Sequence, residues 1–465
     1  MHEHAYPEFL DYVSGIKTNY LREGIAFDPN FNIAFMEQEV NANVFIHELK
    51  DSGRKVMAWK NINFYIKKNT GHNLMLDDKV IGKVFTFSTK SVFHDGANCF
   101  LLDSEPLSNG RRIVPELTRN TVLSVIDNAS GYLAGQVKAN GEFHYGYFPC
   151  FDKPIDHYNI LRHASSTYSL IESYGVNKDE QLVKPIGLAL KYLVDQGVET
   201  LETPDGVQRA FVVEHSSDNE IKLGANAAAI LAITKYTSVF KDDKYIAVAE
   251  LLASGIEYFQ NDDGSFVHVY NYPDLSVKEE NRIIYYDGEA AFALMRMYGM
   301  DRNHKWLDMV NKAFDYFIAN EYWKNSDHWL SYCSYELFAT ESDPRILEFN
   351  LKNANGILDF ALMRETTFPT LLELLLATRK ALKYAKSLTI TCDYMAQFDE
   401  VKLLQAIEHR ARYQLNGLMY PEVAMYFKVP ERILWGFFIR HHAFRVRIDD
   451  VEHNLSGYCG YLDVL

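Results

Sequence analysis

Four stretches of this 465-residue chain collect side chains that move protons or grip polar ligands. The densest, RHHAFRVRIDDVEHNLSG at 440–457, sets Asp449 and Asp450 just ahead of Glu452, His453 and Asn454. Asp449 and His453 stand four apart, so on a helix they share a face and could form a proton-transfer pair or grip a metal. A capped helix with a satisfied core histidine has the same look. The alternation in FRVRIDD would put Arg445 and Arg447 on one side of a strand.

The second stretch, DHYNILRHAS, carries Asp156, Tyr158, Asn159, Arg162 and His163, the last three at helical spacing. There Arg162 or Asn159 would bind a carboxylate or hydroxyl while His163 or Tyr158 moves a proton. A buried hydrogen-bond network between helices would use the same residues. In the third, YYDGEAA, Tyr285 and Tyr286 precede Asp287 and Glu289. These carboxyls either open a helix as cap and first-turn charge, or act as acid and base in a partly dry cleft that raises a carboxyl pKa. The fourth set joins Asp327, His328 and Trp329 to His144, Tyr145, Tyr147, His268, Tyr270, Tyr420 and Glu422, whose aromatic faces could stack on sugar rings.

What must position these groups is legible as a repeat. Beyond Pro115 a helix ends at a turn, a short aromatic piece follows, and a second helix starts with a polar cluster and small residues. The unit returns about every 50 residues, the long end of stacked-repeat periods. Six such pairs make twelve helices. A helix pair cannot bury its apolar faces alone, and with no polar capping copy at either end the six close best into a ring. Small residues such as Gly224, Ala225, Gly288 and Ala290 then sit where inner helices crowd, and the polar clusters converge on one mouth of the ring. Residues 1–112 read instead as strands and turns, in ANVFIHEL, NINFYIKK and GKVFTFSTK. The expected division is a β-rich unit over 1–112 and a helical toroid over 113–465.

With 47 Lys and Arg against 62 Asp and Glu, the chain carries a formal charge of −15 and repels phosphate backbones and anionic surfaces. Nucleic acid is therefore not an expected partner. Five scattered cysteines without a CxxC pair argue against a disulfide framework or thiolate zinc site, and fit a reducing, cytoplasmic setting. The start shows no secretory signal, and no run approaches a membrane span. The glycine-rich signatures of nucleotide-binding and serine-hydrolase sites are missing. His441, His442 and His453 lack a recognised zinc spacing, DDVEH matches an acidic magnesium motif too briefly to count, and no metal or cofactor is expected.

The repeat, together with YNILRHAS, YYDGEAA and RIDDVEHNLSG, resembles the (α/α)6-toroid enzymes that act on carbohydrates: six-hairpin glycosidases, N-acylglucosamine 2-epimerases, and the helical domains of uronate epimerases and polysaccharide lyases. The resemblance spans roughly 113–465 and implies a mainly α fold with a carbohydrate substrate at the mouth. Under it, a glycoside hydrolase would use Asp287 or Glu289 on one wall and Asp449 or Asp450 on the other. An epimerase or lyase would use His163, His453 or Tyr158, with Arg162 or Arg447 holding a carbonyl or carboxylate. A glycan- or peptide-binding scaffold would use none of them catalytically. Residues 1–112 would either shape the cleft or mediate assembly into a homo-oligomer.

Overall fold

The computed structural model describes residues 1–465. Its first hundred residues mix helices with strands. The strand Lys83–Phe87 lies between His2–Ala5 and Gly24–Ala26 in an antiparallel sheet, with Ala34–Phe35 beyond. Around it run α1 (Tyr6–Ser14), α2 (Glu37–Ala42) and α3 (Trp59–Thr70). The stretch NINFYIKK, which its β-branched and aromatic residues suggest as a strand, lies within α3. Ile62 and Ile66, one turn apart, bury in the small core of this region, and Gly71 ends the helix in the left-handed region at φ 75°. Here tertiary burial at a spacing of four overrides strand propensity.

The remainder is mainly α. It runs α4 (Arg119–Gly135), α5 (Ile160–Asn177), α6 (Val183–Tyr192), α7 (Leu223–Phe240), α8 (Ile246–Phe259), α9 (Tyr286–Asp301), α10 (His304–Ala319), α11 (His328–Glu341), α12 (Pro344–Asn355), the short α13 (Leu358–Met363), α14 (Thr370–Ser387), α15 (Glu400–Gln414), the single turn α16 (Pro421–Ala424) and α17 (Ile448–Tyr461). The first of these opens later than Pro115 suggests, because the Thr118 hydroxyl caps it by accepting from the Thr121 amide. Helices α5, α7, α9, α11, α14 and α17 pack successively on one another, and α17 returns against α5, so the inner ring closes. An outer layer surrounds it: α6 lies on α5, α8 on α7, α10 on α9, α12 on α11 and α15 on α14, while α4 covers the α17–α5 seam. The inner α7 is buried on nearly every side, as a helix enclosed by neighbours must be.

One hydrophobic core of 103 buried residues fills this assembly, and only Ala42 comes from the first 112 residues. A separate core of 15 residues lies wholly between Tyr6 and Val84. The two regions meet through polar contacts, including the Asn19 amide on the Arg440 carbonyl at 2.9 Å and the Arg112–Glu422 pair at 2.7 Å. No helix is long and apolar enough to cross a membrane.

Candidate active site

The first two turns of α5, α9, α11, α14 and α17 bring their polar groups together. Helix α17 is fixed first. The strand Val446–Arg447 pairs with Gly146–Phe148, and the Ile448 amide donates to the Tyr145 carbonyl at 3.1 Å. Gly146 is required there, since a Cβ would strike the Val446 carbonyl. This ladder ties the start of α17 to the loop before α5, so the last inner helix is set beside the first.

Asp450 accepts from Arg445 at 3.0 and 3.1 Å, and from the Arg447 guanidinium and amide at 3.2–3.3 Å. Asp449 faces Arg447 at 2.8 Å and Arg162 at 3.2 Å, and Arg162 also donates to the Tyr145 hydroxyl at 2.7 Å. Burial and the neighbouring Asp450 charge raise the Asp449 pKa. Its Oδ1 is buried without a partner. The two aspartates engage all three arginines, and the group keeps an excess of positive charge.

Beside them lies a histidine-centred cluster. His453 Nδ1 is 2.9 Å from Glu373 Oε1, and its Nε2 is 3.4 Å from Glu452 Oε1. Burial opposes charge on His453, but the Glu373 and Glu452 carboxyls outweigh it and push its pKa up to about 9. The Tyr332 hydroxyl donates to the other Glu373 oxygen at 3.1 Å. Glu452 accepts from Ser166 at 3.2 Å, and burial lifts its pKa to about 8. His328 lies across from His453, ring centroids 5.3 Å apart. Its Nε2 is buried without a partner, and burial pushes its pKa down to about 3. Glu289 completes the group. Burial, reinforced by Asp327 and Glu452, raises its pKa well above the usual range.

One neutral and one protonated imidazole, with carboxyls that hold protons at neutral pH, form a set able to exchange protons with a bound molecule. His328, Glu373 and His453 also bring one ligand atom each within 4.8 Å of one another, a spacing compatible with a metal ion. Both Glu373 oxygens, however, are already engaged by His453 and Tyr332. Within the set His453 and Glu373 are bonded to each other, while His328 Nε2 has no partner.

The other residues read as candidates from the sequence fall elsewhere. His163 is fully buried, accepts from Tyr158 at 2.6 Å and donates to the Ala189 carbonyl at 2.8 Å, while burial lowers its pKa to about 4. Tyr158 also accepts from the Phe143 amide, so this pair ties α5 to α6 and to the preceding loop. Asn159 caps α5. His268 Nδ1 accepts from the Arg282 and Ile283 amides, so its Nε2–H donates to Asp287 at 2.9 Å, and both side chains are buried. Tyr286 and Tyr270 pack into the core, and Tyr285 lies 5.9 Å from the His328 ring. Asp327 caps α11 through Oδ1, while its Oδ2 is buried and unpartnered. Tyr145 and Tyr147 line a surface hollow outside the cluster.

Glu373 was missed from the sequence because it is a lone charge in the leucine-rich TLLELLLAT. Tyr332 was missed because it sits in an aromatic helix without a motif. An acidic residue inside an apolar run was the available signal for the first.

No protein-family profile matches the chain, and no curated protein sequence matches it. Solved structures do. Cellobiose 2-epimerase from Bacillus thermoamylovorans has a TM-score of 0.55 at 12% identity, over 74% of this chain and all of that one. A sugar epimerase from a ruminal bacterium has the same score and identity, over 74% and 98%. A D-mannose isomerase has 0.55 at 10% identity, over 75% and 98%. The chain therefore shares the (α/α)6-toroid fold.

Proposed function

We propose that this chain is a carbohydrate-processing enzyme that transfers protons on a sugar bound at the mouth of the toroid, as an epimerase or isomerase does. The observation that carries this reading is the pair His328 and His453. The two rings face each other in one buried cluster, one held neutral and the other held protonated. His328, with its free Nε2, removes a proton next to the sugar carbonyl, and His453 donates one to the carbonyl oxygen. Glu373 and Tyr332 hold His453 in place. The shared fold of the two epimerases and the mannose isomerase supports the same direction.

A second reading, glycoside hydrolysis, rests on Glu289, which burial keeps protonated and so fit to serve as a general acid. Incubating the protein with glucose, mannose and their β-1,4-linked disaccharides in D2O separates the two. Deuterium at the carbon beside the carbonyl, lost in His328→Ala and His453→Asn, is expected. New reducing ends without exchange would replace the first reading by the second, and neither signal would leave a binding scaffold. We further infer that residues 1–112 form a unit of their own beside six helical pairs, a division supported by the two separate cores.

A further inference from the structure

Where the first region rests on the toroid, a cavity of about 10 Å3 is walled by Tyr20 and Arg22 from the one and by Thr366, Thr367, Tyr413 and Arg440 from the other. Its two arginines are largely buried, each side chain 12% exposed, and they share one buried carboxylate. Arg22 Nη1 lies 3.5 Å from Glu37 Oε1, and Arg440 Nη1 lies 4.0 Å from Glu37 Oε2. Asn41 also donates to Glu37 at 2.9 Å, so a single negative charge is divided among three donors. Behind the wall stands Arg410, fully buried and bonded only to backbone carbonyls, among them those of Thr366 and Thr367. It brings a further positive charge and no counter-charge.

Donors are left over on the cavity side. Arg22 Nη2 donates to the Leu107 carbonyl at 2.6 Å, but its Nε is buried without a partner. Arg440 makes one hydrogen bond, from Nη1 to the Asn19 carbonyl at 3.4 Å. His441 also lines the cavity, and its Nδ1 is buried without a partner. The charged groups that act on His441 are all cations, His442, Lys17, Arg364 and Arg445, and burial with their help pushes its pKa down to about 4. Burial and Arg22 likewise push the Arg440 pKa down to about 10, against the pull of Glu37. Glu365 is the one acid on the wall. It pairs with neither arginine, and it is its backbone carbonyl that accepts the Tyr20 and Tyr413 hydroxyls, at 3.3 and 2.5 Å.

A buried guanidinium short of counter-charge and a buried donor without an acceptor both cost stability. One anion would relieve both. Size decides which: about 10 Å3 is the room of a single water-sized particle, so phosphate, sulfate and carboxylate are too large, while water has the size without the charge. We propose that this cavity is a halide site, in which one chloride sits between Arg22 and Arg440 and accepts from Arg22 Nε. The ion then ties the first region to the loop that carries Arg445 and Arg447 toward α17. The site is independent of the sugar reading.

The test has two arms. Thermal unfolding of the full chain is followed in sodium chloride and in sodium gluconate at matched ionic strength, for the wild type, Arg22→Gln, Arg440→Gln and Arg432→Gln. Arg432 pairs with Asp152 and does not line the cavity. Chloride should raise the wild-type midpoint by about 2 °C over gluconate, saturably. Arg432→Gln should keep that difference and the other two should lose it. In the second arm, wild-type crystals are soaked in bromide and the anomalous difference map is read between Arg22 and Arg440, which decides the question even if a variant fails to fold. A peak there together with the chloride-specific rise supports the site. Equal rises in both salts mean general screening and overturn it. A rise that survives in Arg22→Gln and Arg440→Gln, or a map without the peak, overturns it as well. A peak without the rise marks an adventitious ion only, with the same result.

Discussion

His328 and His453 meet across the α11–α17 gap with ring centroids 5.3 Å apart and planes at 79°, and the fold holds the first neutral and the second protonated. His328 stays neutral because burial outweighs the nearby Glu373 carboxyl, and the His453 charge acts in the same direction as burial. Two carboxyls flank His453, which stays charged well past neutral pH. If the reaction needs this asymmetry, the rate should hold steady through neutrality and fall as pH rises through about 9. Glu373→Gln keeps the shape but removes the charge, so the alkaline limb should move toward the ordinary histidine value of 6.5. A limb that does not move in the pH–rate profile would separate Glu373 from the reacting histidine.

Stability should carry the same signature with a definite sign. The folded His453 pKa lies above its unfolded value, so its contribution is complete below pH 6.5 and is lost as pH rises through about 9. Glu452 acts in the same direction for a different reason. Its folded pKa of about 8 exceeds the ordinary 4.5, so ionisation favours the unfolded chain, and stability falls between those two values. Glu452→Gln resembles the protonated side chain, and should flatten that slope by up to about 1.4 kcal/mol per pH unit. Chemical denaturation at pH 5 and pH 8 reads the difference, and an unchanged slope would count against a protonated Glu452.

Asp450 is expected to be structural. It is the common acceptor for Arg445 and Arg447, all three largely buried. Asp450→Asn leaves Arg445 without a counter-charge and Arg447 with Asp449 alone, and should cost about 3–5 kcal/mol in urea unfolding. A variant as stable as the wild type but without turnover would make Asp450 a reacting carboxylate instead, and would favour hydrolysis.

Metal removal should have no effect. Because both oxygens of Glu373 are held by His453 and Tyr332, prolonged treatment with EDTA should leave the rate within error of the untreated protein. A loss restored by one divalent ion would turn His328, Glu373 and His453 from proton carriers into ligands.

The glycines of the inner ring give a stability prediction. A Cβ on Gly288 would strike Asp327 Oδ2 and approach Leu330 at 2.9 Å, and one on Gly224 would lie 2.6 Å from Glu289 Oε2. Alanine at either should destabilise by about 1–3 kcal/mol through overpacking. Gly299, on the same helix as Gly288, has open space where a methyl group would stand, with nothing within 4 Å, and alanine there should stabilise by up to about 1 kcal/mol. Thermal unfolding of the three variants distinguishes the effects; equal shifts would mean that the neighbouring carboxyls yield freely.

The ring was legible in the sequence because burial inside a closed layer of helices demands small residues at fixed places, and Gly224 and Gly288 recur in the first turns of α7 and α9. The site was legible only in part. Arg162, Glu289, Asp449 and His453 stand out by type and lie in or beside the cluster, whereas His163 and Tyr158 are of the same types and face the outer layer. Helical spacing tells which residues share a face, not which face turns inward. NINFYIKK misleads for a related reason: its composition suits a strand, while only Ile62 and Ile66 of it are buried in the core.

Gly224 and Gly288 also say how such a site could change over time. Each glycine is a notch cut to groups carried by the next inner helix or its cap, Asp327 for Gly288 and the Tyr286 ring with Glu289 for Gly224, so the identity of these residues is recorded on a neighbour as well as at their own positions. A lineage that swapped either acid for a bulkier group would have to alter two separated codons together. The walls of this mouth are therefore inherited in interlocking pairs, and any new chemistry must arrive with its own matching recess.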